Sequence, residues 1–253
     1  MTNNTISAIG KRIYIIDVGA GLVDSYRALL GQHTGLHIAS FEPHPEVYSE
    51  IVKKKEQWCV NSPCIQARLM VYQQAISVHE GDSPFYMLNN RTSSSIYPLN
   101  GEGASRWRYP FGRPRFRVQK RIDVPCTTIS KHINDNRIET STNTVDLLFI
   151  DVQGCAMQVL CGIDKKTYRL IKRIVVKVII APFELYDEQS HVVDVLDTIR
   201  SNNFKLLRST EYSNKQERYL EFANLQYFKQ SDTVQPSHWF NIDSTGQFRI
   251  DID

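Results

Sequence analysis

"IIDVGAGLV", residues 15–23, joins an apolar run, an acid and two glycines one residue apart. The run predicts a buried strand over Arg12–Asp17. The glycines predict a tight turn into a helix from about Ser25 to Leu30, because glycine lets backbone N–H groups approach a ligand. A dinucleotide turn carries a third glycine at the next spacing, where this chain has Asp24. A pyrophosphate would meet that negative charge, so the turn suits a nucleoside cofactor without phosphate. S-adenosylmethionine, with its sulfonium, amino-acid end and ribose, is such a ligand. Glu42 stands 25 residues beyond Asp17 at the end of a second strand, "HIASFEP" (37–43), where a carboxylate can accept both ribose hydroxyls.

The rest of the chain alternates strand and helix patterns. "PEVYSEIVKKKEQW" (45–58) has helical spacing with proline in its first turn. "RLMVYQQAIS" (68–77), "VDLLFIDV" (145–152) and "RIVVKVII" (173–180) read as strands three to five. Helices are expected near Ala156–Cys161 and over 191–203, and "FKLLRS" and "LQYFKQ" as closing strands. Continuous apolar strands are buried on both faces, which implies a parallel sheet covered by helices. "EGDSPFYML" and "RPRFRVQKRIDV" predict an antiparallel excursion between strands three and four, with "TTISKHINDN" a short helix leading back. One α/β domain over 1–253 is expected, with a β-rich insertion over 78–126 and a C-terminal arm over 231–253.

Composition is that of an ordinary globular chain: 42% hydrophobic, 23% charged and a net charge of +3. No run approaches a membrane span, and MTNNTISAIGKR has no secretory apolar core. Five cysteines without a CxxC pair argue against a disulfide framework and for a reducing, cytoplasmic setting. No His/Asp/Glu group has ligand spacing, so no metal site is expected.

In order, "DVGAG" (17–21), "FEPHPEVYSEI" (41–51), "QAISVHEGDSPFY" (74–86), "SSSIYP" (93–98), "IDVPCTTISKHI" (122–133) and "VDLLFIDVQGCAMQVLCG" (145–162) resemble the FkbM-type methyltransferases. The resemblance implies a class I, Rossmann-like fold with a mostly parallel seven-stranded sheet and an antiparallel last strand. It also implies transfer of a methyl group from S-adenosylmethionine to a hydroxyl, commonly on a sugar or small natural product. Asp17, Gly19, Ala20 and Gly21 would hold the methionine end and Glu42 the ribose. Pro43, Ala75 and Ile76 would lie near the adenine, and Asp151 with Val152 near the methyl group. Three positions depart from the family: its lysine before "IDVEG" is Phe149, its glutamate is Gln153, and a following acid is Met157. Its fifth strand often ends in an acid, and the nearest here is Glu184.

A hydroxyl acceptor gains from a general base. Asp151 is the first candidate, with Glu184 and His44 behind it. "RWRYPFGRPRFRVQKR" (106–121) carries seven basic residues and no acid, interleaved with aromatics. It reads either as an acceptor surface, using Trp107, Arg108, Arg115 and Arg117, or as a charged edge strand. Ser94 and Ser95 are further acceptor candidates. Three functions follow: an O-methyltransferase on a sugar or glycan, the same chemistry on RNA, or a silent cofactor-binding scaffold.

Overall fold

The computed structural model of the protein describes residues 12–21, 24–109, 111–136, 144–211, 216–227, 241–242 and 248–249. The N-terminal half runs β1 (Ile13–Val18), α1 (Asp24–Gln32), β2 (Leu36–Phe41), α2 (Pro45–Asn61), α3 (Ile65–Arg68), β3 (Leu69–Tyr72), β4 (Ala75–Ile76), β5 (Gly81–Leu88), α4 (Gly101–Arg106) and β6 (Val118–Thr127). Then follow α5 (Ile129–Asp135), β7 (Leu147–Ile150), α6 (Ala156–Cys161), α7 (Lys165–Leu170), β8 (Arg173–Ile179), α8 (Val192–Ser201), β9 (Phe204–Glu211) and β10 (Glu217–Asn224). Seven strands form one sheet in the order β3-β2-β1-β7-β8-β10-β9. β3, β2, β1, β7 and β8 are parallel, and β10 runs antiparallel to both β8 and β9.

The apolar runs work as two-sided strands. Tyr14, Ile16 and Val18 face a core shared with Ile129, Val159, Leu160, Val195 and Ile199 of the helices on one side. Ile15, with Ile38 and Leu147, packs on Tyr26, Leu30, Val47, Ile51 and Trp58 of α1 and α2 on the other. The sequence order reverses between β1 and β7, because β2 and β3 build one way and β8 the other. In open α/β sheets that switch point is where ligands bind, beyond the carboxyl ends of the strands.

Two expected strands differ from the structure. Residues 68–77 do not form one strand. Leu69–Tyr72 joins the main sheet, whereas Ala75–Ile76 pairs with β6 in a second sheet of order β4-β6-β5. The closing strand is Glu217–Asn224, upstream of the expected "LQYFKQ", of which Leu225–Tyr227 forms a 3₁₀ turn. Its charges hide it: Glu221 is buried inside the strand, 3.0 Å from both Arg173 and Arg208. Of the proposed arm, only two short paired strands, Asn241–Ile242 and Phe248–Arg249, fall within the described residues. No helix of the described residues is long and apolar enough to cross a membrane.

The region between β5 and β6 is fastened to the loop after β8. Leu88, Ala104, Trp107 and Phe116 form a small core with Ile179, Leu185 and Tyr186. Gly103 of α4 touches that loop so closely that a Cβ would lie 1.5 Å from the Glu184 carbonyl oxygen. Gly103→Ala therefore forces a backbone shift. It should cost about 2–3 kcal/mol, lowering the thermal midpoint by roughly 5–10 °C; an unchanged midpoint would show that α4 does not pack here.

Candidate active site

The turn after β1 closes against two neighbouring strands. Gly19 and Ala20 donate their N–H groups to the Phe41 carbonyl of β2, at 3.0 and 3.1 Å. Gly19 adopts φ +82°, and a Cβ there would stand 2.3 Å from the Asp151 carbonyl oxygen beyond β7. Glycine is required on both counts. Gly21, at φ +52°, faces open space and donates its N–H to Glu42 Oε2 at 3.0 Å.

Glu42 is nearly fully buried, and its Oε1 accepts the His44 N–H at 2.8 Å. Burial nevertheless outweighs these two donors and pushes its carboxyl up to about 7. Asp17 is also buried. The Tyr26 hydroxyl donates to its Oδ2, while Oδ1 has no hydrogen-bond partner among the described residues. Desolvation, then the charges of Asp151 and Glu42, raise the Asp17 carboxyl well above its usual range.

Asp151 sits at the tip of β7, its N–H on the Val18 carbonyl at 2.8 Å. Lys177 of β8 is ion-paired to its Oδ1, and the Tyr219 hydroxyl donates to Oδ2 at 2.7 Å. Lys177 is itself buried and lies 3.6 Å from Glu217, with Tyr219 stacked on Phe149. Lys177, Tyr219 and Glu217 were not singled out from the sequence. One signal existed: Lys177 stands in the middle of the apolar run "RIVVKVII", and a lysine in a two-sided buried strand needs a partner.

Glu42, Asp151, Lys177, Glu217 and Tyr219 share one cleft of about 370 Å³, within the size range of small-ligand sites. Gly19, Ala20, Gly21, Glu42, Pro43, Ala75, Ile76, Asp151, Val152, Ser94, Ser95, Trp107 and Arg115 all line it, with Lys177, Glu217 and Tyr219. Five of the residues expected from the sequence stand outside this lining; one is Asp17, buried near the end of β1. His44 lies behind Glu42, its ring edge-on to Phe85, and burial lowers its basicity. Glu184 is carried away by the loop after β8 and stands 3.4 Å from His191, beside a separate shallow groove. Arg108 turns back on its own loop, donating to the carbonyls of Ser105 and Gly112 at 2.7 and 2.8 Å. Arg117 is exposed, its N–H on Asn89 Oδ1.

The serines and Trp107 line the cleft in a different way from that expected. Ser94 Oγ accepts the Leu88 N–H at 3.0 Å, and Ser95 Oγ donates to the Gln153 carbonyl at 2.6 Å, so both hydroxyls brace the backbone. Trp107 is largely buried, edge-on to Phe116 and Phe183.

A seven-stranded sheet in this order, with an antiparallel β10 set between β8 and β9, is the class I methyltransferase fold. The chain superposes on the crystal structure of methyltransferase FkbM from Methylobacillus flagellatus KT with a TM-score of 0.51 at 13% identity, covering 83% of this chain. It spans 43% of that protein, so the likeness is one of fold. The chain belongs to the FkbM methyltransferase domain family, whose profile matches residues 17–206. It is also similar to methyltransferase sdnD of Sordaria araneosa, 24% identical over 184 residues covering 68% of each chain. To 2-O-methyltransferase NoeI of Sinorhizobium fredii it is 24% identical over 187 residues, 74% of this chain and 71% of the relative.

The Glu42 geometry makes stability depend on pH. A carboxyl titrating near 7 in the fold and near 4.5 unfolded favours the native state while protonated; that contribution is complete below about pH 4.5 and lost as the pH rises through 7. Between pH 5 and 8 the ligand-free wild type should lose on the order of 3 kcal/mol more than Glu42→Gln. Asp17, shifted the same way, leaves a residual slope in both. Urea melts at the two pH values check the difference, and parallel curves would refute it.

Proposed function

We infer that the protein is an S-adenosylmethionine-dependent O-methyltransferase whose acceptor is a hydroxyl of a sugar or glycan. The observation that carries this reading is the buried Glu42 carboxylate, tied through Gly21 to the glycine turn at the switch point. Each Glu42 oxygen already accepts one backbone N–H and keeps a lone pair for one of two adjacent ribose hydroxyls. Glu42 and Asp151 line the cleft, and Asp17 is buried near the end of β1 with its Oδ1 unpartnered, a set of acids that suits a ligand with a cationic centre and an amino group. The residues present therefore fit the cofactor. Gly19, Ala20 and Gly21 would hold its amino-acid end, Glu42 its ribose, and Pro43, Ala75 and Ile76 its adenine.

When bound, S-adenosylmethionine supplies a methyl group on a sulfonium sulfur. The protein's own contribution is then largely positioning, since the displacement is in line. Asp151, beside the turn, orients the acceptor hydroxyl by accepting its hydrogen bond. Lys177 on Oδ1 and Tyr219 on Oδ2 hold that carboxylate in one orientation, which makes it a fixed acceptor. Hydroxyl acceptors are favoured by the name of the NoeI relative, a 2-O-methyltransferase, and sugars by the family resemblance. An RNA acceptor is favoured less, because two of the four aromatics of 106–121, Trp107 and Phe116, are buried.

Calorimetric titration with S-adenosylmethionine and S-adenosylhomocysteine tests the cofactor reading, and no binding to either would sink it. Glu42→Ala should weaken binding at least about tenfold, the loss of two charge-assisted hydrogen bonds. Wild-type affinity should rise between pH 6 and 8 as Glu42 ionises, and Glu42→Gln should flatten that rise. Asp151→Asn should abolish labelled-methyl transfer to glycan acceptors while keeping cofactor affinity within about tenfold. A wild type that binds cofactor but labels neither glycans nor RNA is a silent binding protein.

A further inference from the structure

The arginine-rich stretch beside the cleft forms a braced hairpin. Tyr109 N–H donates to the Arg113 carbonyl at 3.0 Å, Gly112 N–H to the Tyr109 carbonyl at 3.1 Å, and Arg115 N–H to the Trp107 carbonyl at 2.9 Å. The Arg108 guanidinium ties the Ser105 and Gly112 carbonyls together across the same turn. At its foot Trp107 and Phe116 are buried in the core shared with Leu185 and Tyr186. Arg115 lies over both of these rings, 5.7 and 5.4 Å from their centroids. The hairpin is therefore a rigid projection, and little conformational entropy would be lost when it docks.

Its tip is unlike its foot. Phe111 is completely exposed, at 102% of its reference area, and Tyr109 is 52% exposed. Phe111 also holds φ +76°, a left-handed backbone that a bulky L residue rarely adopts, followed by Gly112 at +78°. Arg108, Arg113, Arg115 and Arg117 flank these rings, and none has a carboxylate partner among the described residues. No acid occurs between Glu102 and Asp123. A braced turn with exposed aromatics near its apex, and arginines without carboxylate partners among the described residues set back along its sides, has the layout of a membrane-interface anchor. The rings enter the boundary between headgroups and acyl chains while the arginines meet lipid phosphates.

We propose that the hairpin 107–116 docks the protein on an anionic lipid surface, with Phe111 and Tyr109 inserted and the flanking arginines on the headgroups. The same hairpin walls the cleft through Trp107, Arg115 and Phe116, so docking sets the cleft beside the membrane surface. A single-stranded nucleic acid is the weaker match. Base stacking needs ring faces along a groove, and here the groove-side rings, Trp107 and Phe116, are buried. The inference does not rest on the proposed methyl transfer.

Co-sedimentation with vesicles of phosphatidylcholine alone, or with one quarter phosphatidylglycerol, tests it. The wild type should bind the anionic vesicles at 50 mM salt and not the neutral ones. Phe111→Ser should weaken binding about tenfold or more, and Arg113→Glu by at least about fivefold. Both side chains are on the surface, and unchanged thermal melts confirm that the variants fold. Absence of binding to anionic vesicles overturns the proposal, as does wild-type binding by Phe111→Ser. Binding of a 20-mer oligouridylate in preference to the vesicles would reassign the surface to nucleic acid.

Discussion

A close backbone approach at the glycine turn joins Gly19 to the carbonyl of Asp151. No side chain fits between them, so the carboxyl ends of β1 and β7 can meet only if one residue lacks a Cβ. That closure sets Asp151 beside the glycine turn and turns Gly21 toward Glu42. The two strands are neighbours because the sheet changes direction there, and the same reversal opens the cleft. One hydrogen atom in place of a methyl thus determines where the acids of the site can stand.

Those acids are held by different means. Glu42 is fixed by backbone N–H groups alone, and its burial leaves it poised between charged and neutral forms near neutrality. Asp17 is held by one hydroxyl, and its charge is opposed by two carboxylates nearby. Asp151 is held by a buried ammonium and a hydroxyl from strands on its other side. The cleft therefore runs from Glu42, a carboxyl that burial keeps from ionising readily, at the turn, to the ion-paired Asp151 where β7 meets β8.

The part of this arrangement legible in the sequence is the part that depends on local backbone and on burial. Strands buried on both faces spell continuous apolar runs, and a left-handed turn demands glycine, so β1, β2, β7 and β8 with the Gly19–Gly21 turn could be read directly. Glu42 followed from its distance along the chain. Pairings between strands remote in sequence could not be read. Lys177 reaches Asp151 only because β8 lies next to β7, and it supplies an ammonium where the resemblance leads one to expect a lysine and the chain has Phe149. Glu221 can be buried because its partners Arg173 and Arg208 come from two other strands. In "RWRYPFGRPRFRVQKR" the four aromatics looked alike, yet the hairpin buries Trp107 and Phe116 and leaves Tyr109 and Phe111 outside.

The insertion of β10 between β8 and β9 has a consequence for how the molecule is assembled. β9 is made first but has no neighbour in the sheet until β10 has arrived and filled the strand-wide gap of about 5 Å on each side. Until then β8 presents an open edge, and Asp151 lacks the Tyr219 hydroxyl. During synthesis the central strands can pair as they emerge, whereas the Asp151 end of the cleft waits for a segment more than two hundred residues into the chain. Cleft completion is thus a late, long-range event, and an unfinished chain exposes the β8 edge strand to chaperones and to aggregation.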